Sequence, residues 1–307
     1  MPAWAIVTLI QIDPPSPHQI PTMNLSMPCT PEIQAEGFCH GIPICGYCYD
    51  MGLHLHRNIS TPYDHYNLFM IGLVLPAIGT FGLIGNTLSI FIFSRNEMRS
   101  SINTYLTALA CSDVIIILSA FLMFFLESMR KRSAFVSRVY AICAPVAFPL
   151  GLTAQSMSVF ITLAAAVDCY ISVTGSARLK GRFCSIQTAY YVIAGCLISA
   201  FVFNCPHWFE IYVLKCYSIP YREETFDICP TMLRMNDQYL TLYYAYCYTI
   251  VMAIGPVLIL IALNVAIVVN LKFKNGTENG DTMTLVKILS VLKSEICYML
   301  IFATQQP

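Results

Sequence analysis

The sequence predicts an all-α membrane protein, and three observations carry that reading. The 307 residues are 57% hydrophobic and only 11% charged, with a mean hydropathy of +0.64, whereas a soluble domain carries about 25% charged residues. Five apolar segments reach or exceed the roughly 20 residues that a bilayer-crossing helix needs. One of them encloses a carboxylate, Asp113, where a charge costs roughly 3 kcal/mol or more and needs a partner.

Residues 1–65 form a polar head rich in Pro, His and Cys, with no helical periodicity. Asn24-Leu25-Ser26 and Asn58-Ile59-Ser60 are glycosylation sequons, which predict a glycoprotein with this head outside the cell. The apolar patch at 3–10 lacks the basic leader of a signal sequence. The apolar segments follow at 67–93, 104–125, 139–173, 188–208 and 242–271, within a membrane domain covering 66–307. A further stretch, 284–302, carries Lys287, Lys293 and Glu295 and reads as a partial sixth span.

Charge does not set the orientation. With the head outside, the inner loops hold Arg95, Arg99, Arg178, Lys180, Arg182, Lys272 and Lys274. The outer segments hold Arg57, Arg130, Lys131, Arg132, Arg138, Lys215, Arg222 and Arg234. The cation bias that fixes topology is therefore missing, and the sequons and motifs must decide. A net charge of zero gives no support for a nucleic-acid partner.

The 14 cysteines divide by context. Cys29, Cys39, Cys45 and Cys48 in the head, and Cys216 and Cys229 in a loop, suit disulfides on an oxidising face. Cys45 and Cys48 lie near His40, His54 and His56. The histidines do not recur at a zinc-ligand spacing, so disulfides are favoured over a metal site.

Asn86 in the first span, Asp113 in the second and Ser158 in the third suit a polar pocket for a hydrated Na⁺ or a proton. The same three residues equally suit a hydrogen-bond network that locks the helices together. Asp168-Cys169-Tyr170 closes the third span at the inner surface, where a carboxylate is cheaply solvated. Pro256 removes a helix hydrogen bond within the fifth span and predicts a kink or bulge. Asp113 and Asp168 lie towards different depths, and no metal or nucleophile set accompanies them, so the chain does not read as an enzyme.

In order and spacing these motifs resemble a rhodopsin-like (class A) G-protein-coupled receptor. Gly85-Asn86 resembles the first-helix signature, Leu109-Ala110-Cys111-Ser112-Asp113 the second, Asp168-Cys169-Tyr170 the third-helix coupling motif, and Pro256 the fifth-helix proline. Residues 98–113, Ala154-Gln155, Ser158-Val159-Phe160, Pro206-His207-Trp208-Phe209-Glu210 and Cys229-Pro230-Thr231-Met232-Leu233-Arg234 are similar to invertebrate FMRFamide-type neuropeptide receptors, those of nematodes above all.

The resemblance implies a rhodopsin-like bundle of five clear helices and a partial sixth, truncated before a seventh. It implies an extracellular Arg-Phe-amide neuropeptide and a heterotrimeric G protein as partners, in a multi-pass protein of the plasma membrane. A sodium ion would sit at Asn86, Asp113 and Ser158, with no other cofactor. Ligand contacts would fall on Gly151, Gln155, Glu210 and Asp227, within an acidic outer face that includes Glu223 and Glu224. A disulfide would join Cys143 to Cys216, with Cys229 as the competing partner. Cys169 departs from the family's arginine, and Cys196 stands near its fourth-helix tryptophan. Two rivals remain at this stage. One is a truncated, non-signalling isoform or gene-model fragment that associates with full-length receptors. The other is an ion-coupled transporter or channel subunit using Asp113, which should show paired repeats or matched broken helices.

Overall fold

In the computed structural model the structure describes residues 38–39, 42–45, 66, 68–130, 133–218 and 222–275. Asn24, Asn58 and the candidate span at 284–302 lie outside them. Five helices are long and apolar enough to cross a membrane: α1 (Met70–Phe93), α2 (Ser101–Arg130), α3 (Ala134–Thr174), α4 (Ile186–Phe209) and α5 (Asp237–Leu271).

α2, α4 and α5 start where the sequence supplies a side-chain cap. The Ser100 hydroxyl accepts from the Asn103 amide at the start of α2, Ser185 from Thr188 in α4, and Asn236 from Gln238 and Tyr239 in α5. Such caps satisfy amide groups that the helix itself leaves unpaired. In α5, π-helical turns at Leu240–Tyr248 and Ile250–Ile254 precede a regular helix from Gly255. Pro256, the second residue of that regular stretch, has no amide hydrogen to donate. The wider turns before it absorb the interruption as a bulge.

α3 is the centre of the bundle, packing on α2, α4 and α5. Small residues allow the close approach. Ala189 of α4 and Tyr105 of α2 meet Ile161 of α3 in one buried cluster, with Ala108, Ala164 and Ala165 around it. Transmembrane helices associate through tight contacts of this kind, because lipid removes the hydrophobic drive between them. The outward faces of α1, α4 and α5 carry exposed Phe81, Tyr191, Phe201 and Leu258, as a lipid-facing surface does.

The helical bundle agrees with the expected fold class, and two short strand pairs lie outside its spans. Strands β1 (Phe38–Cys39) and β2 (Ile42–Pro43) form a short antiparallel pair in the head. A longer hairpin of β3 (Ile211–Ser218) and β4 (Glu223–Pro230) follows α4. β4 packs on the start of α3, where Ile228 joins Tyr140, Ala141 and Ala144. β3 faces the head through a bridge from Ile44 to Tyr217 and a hydrogen bond from the Cys45 amide to the Tyr217 carbonyl.

That arrangement corrects the disulfide. Cys216 is bonded to Cys45, and Cys143 is a free thiol. Because β4 is the strand laid on α3, Cys216 on β3 meets the head. Cys143 lies off the face that Tyr140, Ala141 and Ala144 turn to the hairpin. Cys229 is disulfide-bonded as well, and not to Cys143, which is free.

Candidate functional site

The hairpin, the head segment and the loops beside them close one end of the bundle, and arginines fasten them there. Arg130 at the end of α2 pairs with Glu127 at 2.8 Å and with Asp227 of β4 at 3.1 Å. Arg138 in the first turns of α3 meets Glu223 at 3.0 Å, and Lys215 meets Glu224 at 2.6 Å across the hairpin. Asp227 is 5% exposed and also accepts from the Ile228 amide.

Beside the hairpin lies a denser cluster. Glu210, just past the end of α4, has no exposure to solvent. Its Oε1 accepts from Tyr239 at 2.6 Å and lies 2.7 Å from Nδ1 of the buried His207. Its Oε2 accepts from Tyr244 at 2.6 Å and pairs with the Arg234 guanidinium at 2.5 Å. That guanidinium also donates to the Tyr244 hydroxyl at 3.1 Å and lies over two rings, Phe148 of α3 at 5.5 Å and Tyr244 at 5.8 Å. Tyr243 donates to the Phe203 carbonyl at 2.6 Å and stacks on Tyr239.

Electrostatics follow from these contacts. Burial alone pushes the Glu210 carboxyl up. The hydrogen bond and charge of His207, with the Tyr239 and Tyr244 hydroxyls, outweigh it and hold the group at about 2. Burial disfavours the charged Arg234, and its contacts with Tyr244 and Glu210 more than offset that, leaving it raised. Removing one partner of a buried pair like this costs about 3–5 kcal/mol, because the other charge stays behind uncompensated.

The expectation of an open acidic face is therefore corrected for Glu210 and Asp227: both are buried and internally paired. Only Glu223 and Glu224 stand well exposed, and each has a cationic partner. At Gly151 an added β-carbon would lie 2.9 Å from Cβ of Ser119, so this glycine lets α3 approach α2 closely. Gln155 is half-buried, two turns along α3 from Phe148 on the same face by helical geometry. Near its level the buried Asn204 of α4 donates to Ser156 at 2.7 Å, tying α4 to α3.

Deeper in the bundle, Ser158 donates to Oδ1 of Asp113 at 3.4 Å, longer than the usual 2.5–3.0 Å or so for such a bond. Asn86 does not complete the trio. Its amide donates to the Gly82 carbonyl of its own helix at 3.0 Å. At the far end, Asp168 is buried, and its Oδ2 has no hydrogen-bond partner among the described residues. The Cys184 thiol donates to the Asp168 backbone carbonyl at 3.6 Å, linking α3 to the loop helix Ala177–Phe183. Cys169 and Tyr170 lie half-buried beside it.

The sequence matches the model of the 7 transmembrane receptor (rhodopsin family) over residues 85–305. The chain belongs to that family. It is 47% identical to the Probable G-protein coupled receptor frpr-1 of Caenorhabditis elegans over 288 residues, covering 89% of this chain and 76% of that receptor. It is 27% identical to the FMRFamide receptor of Drosophila melanogaster over 244 residues, 78% of this chain and 44% of the fly protein. The FMRFamide peptide receptor frpr-18 of Caenorhabditis elegans shares 26% over 132 residues, 42% of this chain and 30% of its own length. This rhodopsin-family receptor thus spans about three quarters of the frpr-1 sequence and less than half of the other two relatives. The family is one of receptors, not enzymes.

Sequence reasoning missed His207, Arg234 and the tyrosines as parts of one site. A signal was present. His207 and Glu210 are three apart, and Tyr239 and Tyr243 are one turn apart at the start of α5, with Tyr244 beside the second.

Proposed function

We propose that this receptor answers an extracellular peptide ending in Arg-Phe-amide and relays it to a heterotrimeric G protein at the plasma membrane, with its N-terminal head outside the cell. The observation that carries the reading is the similarity to the fly FMRFamide receptor over 78% of this chain, beside that to frpr-1 over 89%. The Cys45–Cys216 disulfide supports the orientation, since such bridges persist on oxidising faces. Glycans at Asn24 and Asn58 belong to the same reading.

In this reading the peptide enters where the hairpin, α3, α4 and α5 meet. Its contacts there, with Gln155 below, are stronger in one arrangement of the helices than in another. That difference in affinity is what shifts the population. Asp113 and Ser158 would hold a hydrated Na⁺, whose charge would offset the buried carboxylate. Asn86 joins them only by leaving the Gly82 carbonyl. The inner end, with Asp168, Cys169 and Tyr170, is the surface offered to the G protein. Cys169 is neutral and short, and it cannot make the charged contacts of an arginine.

The test is a calcium or cAMP response in cells expressing the product of the complete native transcript, challenged with amidated Arg-Phe peptides. A dose-dependent response supports the reading, and silence across the panel removes it. The Cys169 substitution favours a second reading, in which the peptide binds without G-protein turnover. Peptide binding without a second-messenger response separates the two.

A further inference from the structure

We propose that Glu210, Phe148 and Tyr244 form a guanidinium-binding cage that Arg234 occupies in this structure, and that a guanidinium-bearing ligand takes the cage by displacing Arg234. Under the peptide reading, on which the ligand's identity rests, the displacing group is the arginine of the Arg-Phe-amide terminus.

Four observations carry this. The cage demonstrably fits the group, because a guanidinium is seated in it. Arg234 meets the carboxylate and the Tyr244 hydroxyl and has the Phe148 and Tyr244 rings within 6 Å of its central carbon, the geometry in which cations and ring faces attract. The cage is also independent of its occupant. Phe148 comes from α3, Glu210 from the end of α4 and Tyr244 from α5, whereas Arg234 sits on the turn between β4 and α5.

The carboxylate has separate support. Its Oε1 is held by His207 and Tyr239, so Glu210 stays in position when Arg234 departs from Oε2. Arg234, the occupant, is itself partly exposed. Its side chain is 29% accessible while that of Glu210 is fully enclosed, so one side chain swinging outward opens the cage without parting the helices.

Exchange of one guanidinium for another leaves the charge and the donor set of the cage unchanged. The remaining contacts of the ligand then decide the outcome, and Arg234 acts as a built-in competitor. It lowers apparent affinity by the fraction of time it occupies the cage. This explains how a buried glutamate serves a ligand: it is reached through Arg234, not across an open acidic surface.

The experiment is chemical rescue of the vacated cage. Arg234→Ala in the full chain is purified into lipid nanodiscs, and its melting temperature is followed against L-argininamide and L-citrullinamide, its isostere with a neutral side chain. Argininamide at ten times its dissociation constant is expected to raise the melting temperature by about 3 °C. Citrullinamide should not, and neither compound should move Arg234→Ala combined with Glu210→Gln. If argininamide leaves the single variant unmoved, or moves the double variant equally, the proposal is overturned.

N-acetyl-Arg-Phe-amide then tests the ligand separately. A larger shift than that of argininamide supports the peptide reading. An equal or smaller one rejects that reading and leaves the guanidinium cage standing. Arg234→Gln replaces the alanine variant where the latter is not recovered. If neither variant folds even with argininamide present, Arg234 is a fixed fastener and the proposal fails.

Discussion

Glu210 keeps its negative charge in a place with no access to water, and its neighbours are what make that tenable. Its folded-state value of about 2 lies below the ordinary 4.5. The stability it contributes is therefore complete above pH 4.5 and lost as pH falls towards 2, an effect of about 3 kcal/mol when fully expressed. The melting temperature of the wild-type protein should exceed that of Glu210→Gln near neutral pH, with the gap closing through that acid window. A gap that stays constant down to pH 2 would show that the glutamate acts through shape rather than charge.

The Asp113–Ser158 bond is long, so Ser158→Ala should cost only about 0.5–1 kcal/mol. Asp113→Asn should abolish any dependence of melting temperature on sodium, measured by exchanging sodium for choline. Asp113 was legible because a carboxylate stands out in an apolar run. Arg234 was not, because its partners are 24 and 10 positions away and only the hairpin and the turn after it bring them together.

At the scale of elements, Gly151 separates packing from binding. With Ser119 only 2.9 Å from the place of an added β-carbon, Gly151→Val should lower the melting temperature and surface expression, with an overpacking cost of about 1–3 kcal/mol. Peptide affinity of the protein that does fold should be little changed. A selective loss of affinity at full expression would place Gly151 at the ligand site.

The disulfide gives a second element-scale prediction. Cys45→Ser and Cys216→Ser should each loosen the head from the hairpin and speed its release by limited proteolysis. Cys143→Ser should leave that rate unchanged. The bridge closes 171 positions of chain, a separation that no spacing argument could select among the six cysteines of the head and the loop after α4. The five helices were legible from apolar length, to within a few residues at most ends. The β3–β4 hairpin was not, because its ion pairs and its packing on Tyr140 and Ala144 come from elsewhere in the chain.

Across the whole molecule, one helix relates the two ends. α3 carries Phe148 at the cage, Gln155 and Ser156 below it, Ser158 on Asp113, and Asp168 to Tyr170 at the opposite end. Its small and buried residues let α2, α4 and α5 all close on it. A change in how the α4 and α5 ends meet around Glu210 therefore bears directly on the helix that carries Asp168 to Tyr170 at its other end. The family was legible in the sequence because polar residues inside a bilayer are few and their order along the chain is distinctive. The occupied state of the cage was not, since occupancy belongs to the fold.

The most direct test of the account is saturation binding of a labelled Arg-Phe-amide peptide to membranes from cells expressing this receptor. The account predicts saturable binding that is weakened at least about tenfold, 1.4 kcal/mol, by Glu210→Gln. Binding should be strengthened by Arg234→Ala and lost when the peptide arginine is replaced by citrulline. Absence of saturable binding, or binding indifferent to both Glu210 and the peptide arginine, would contradict it.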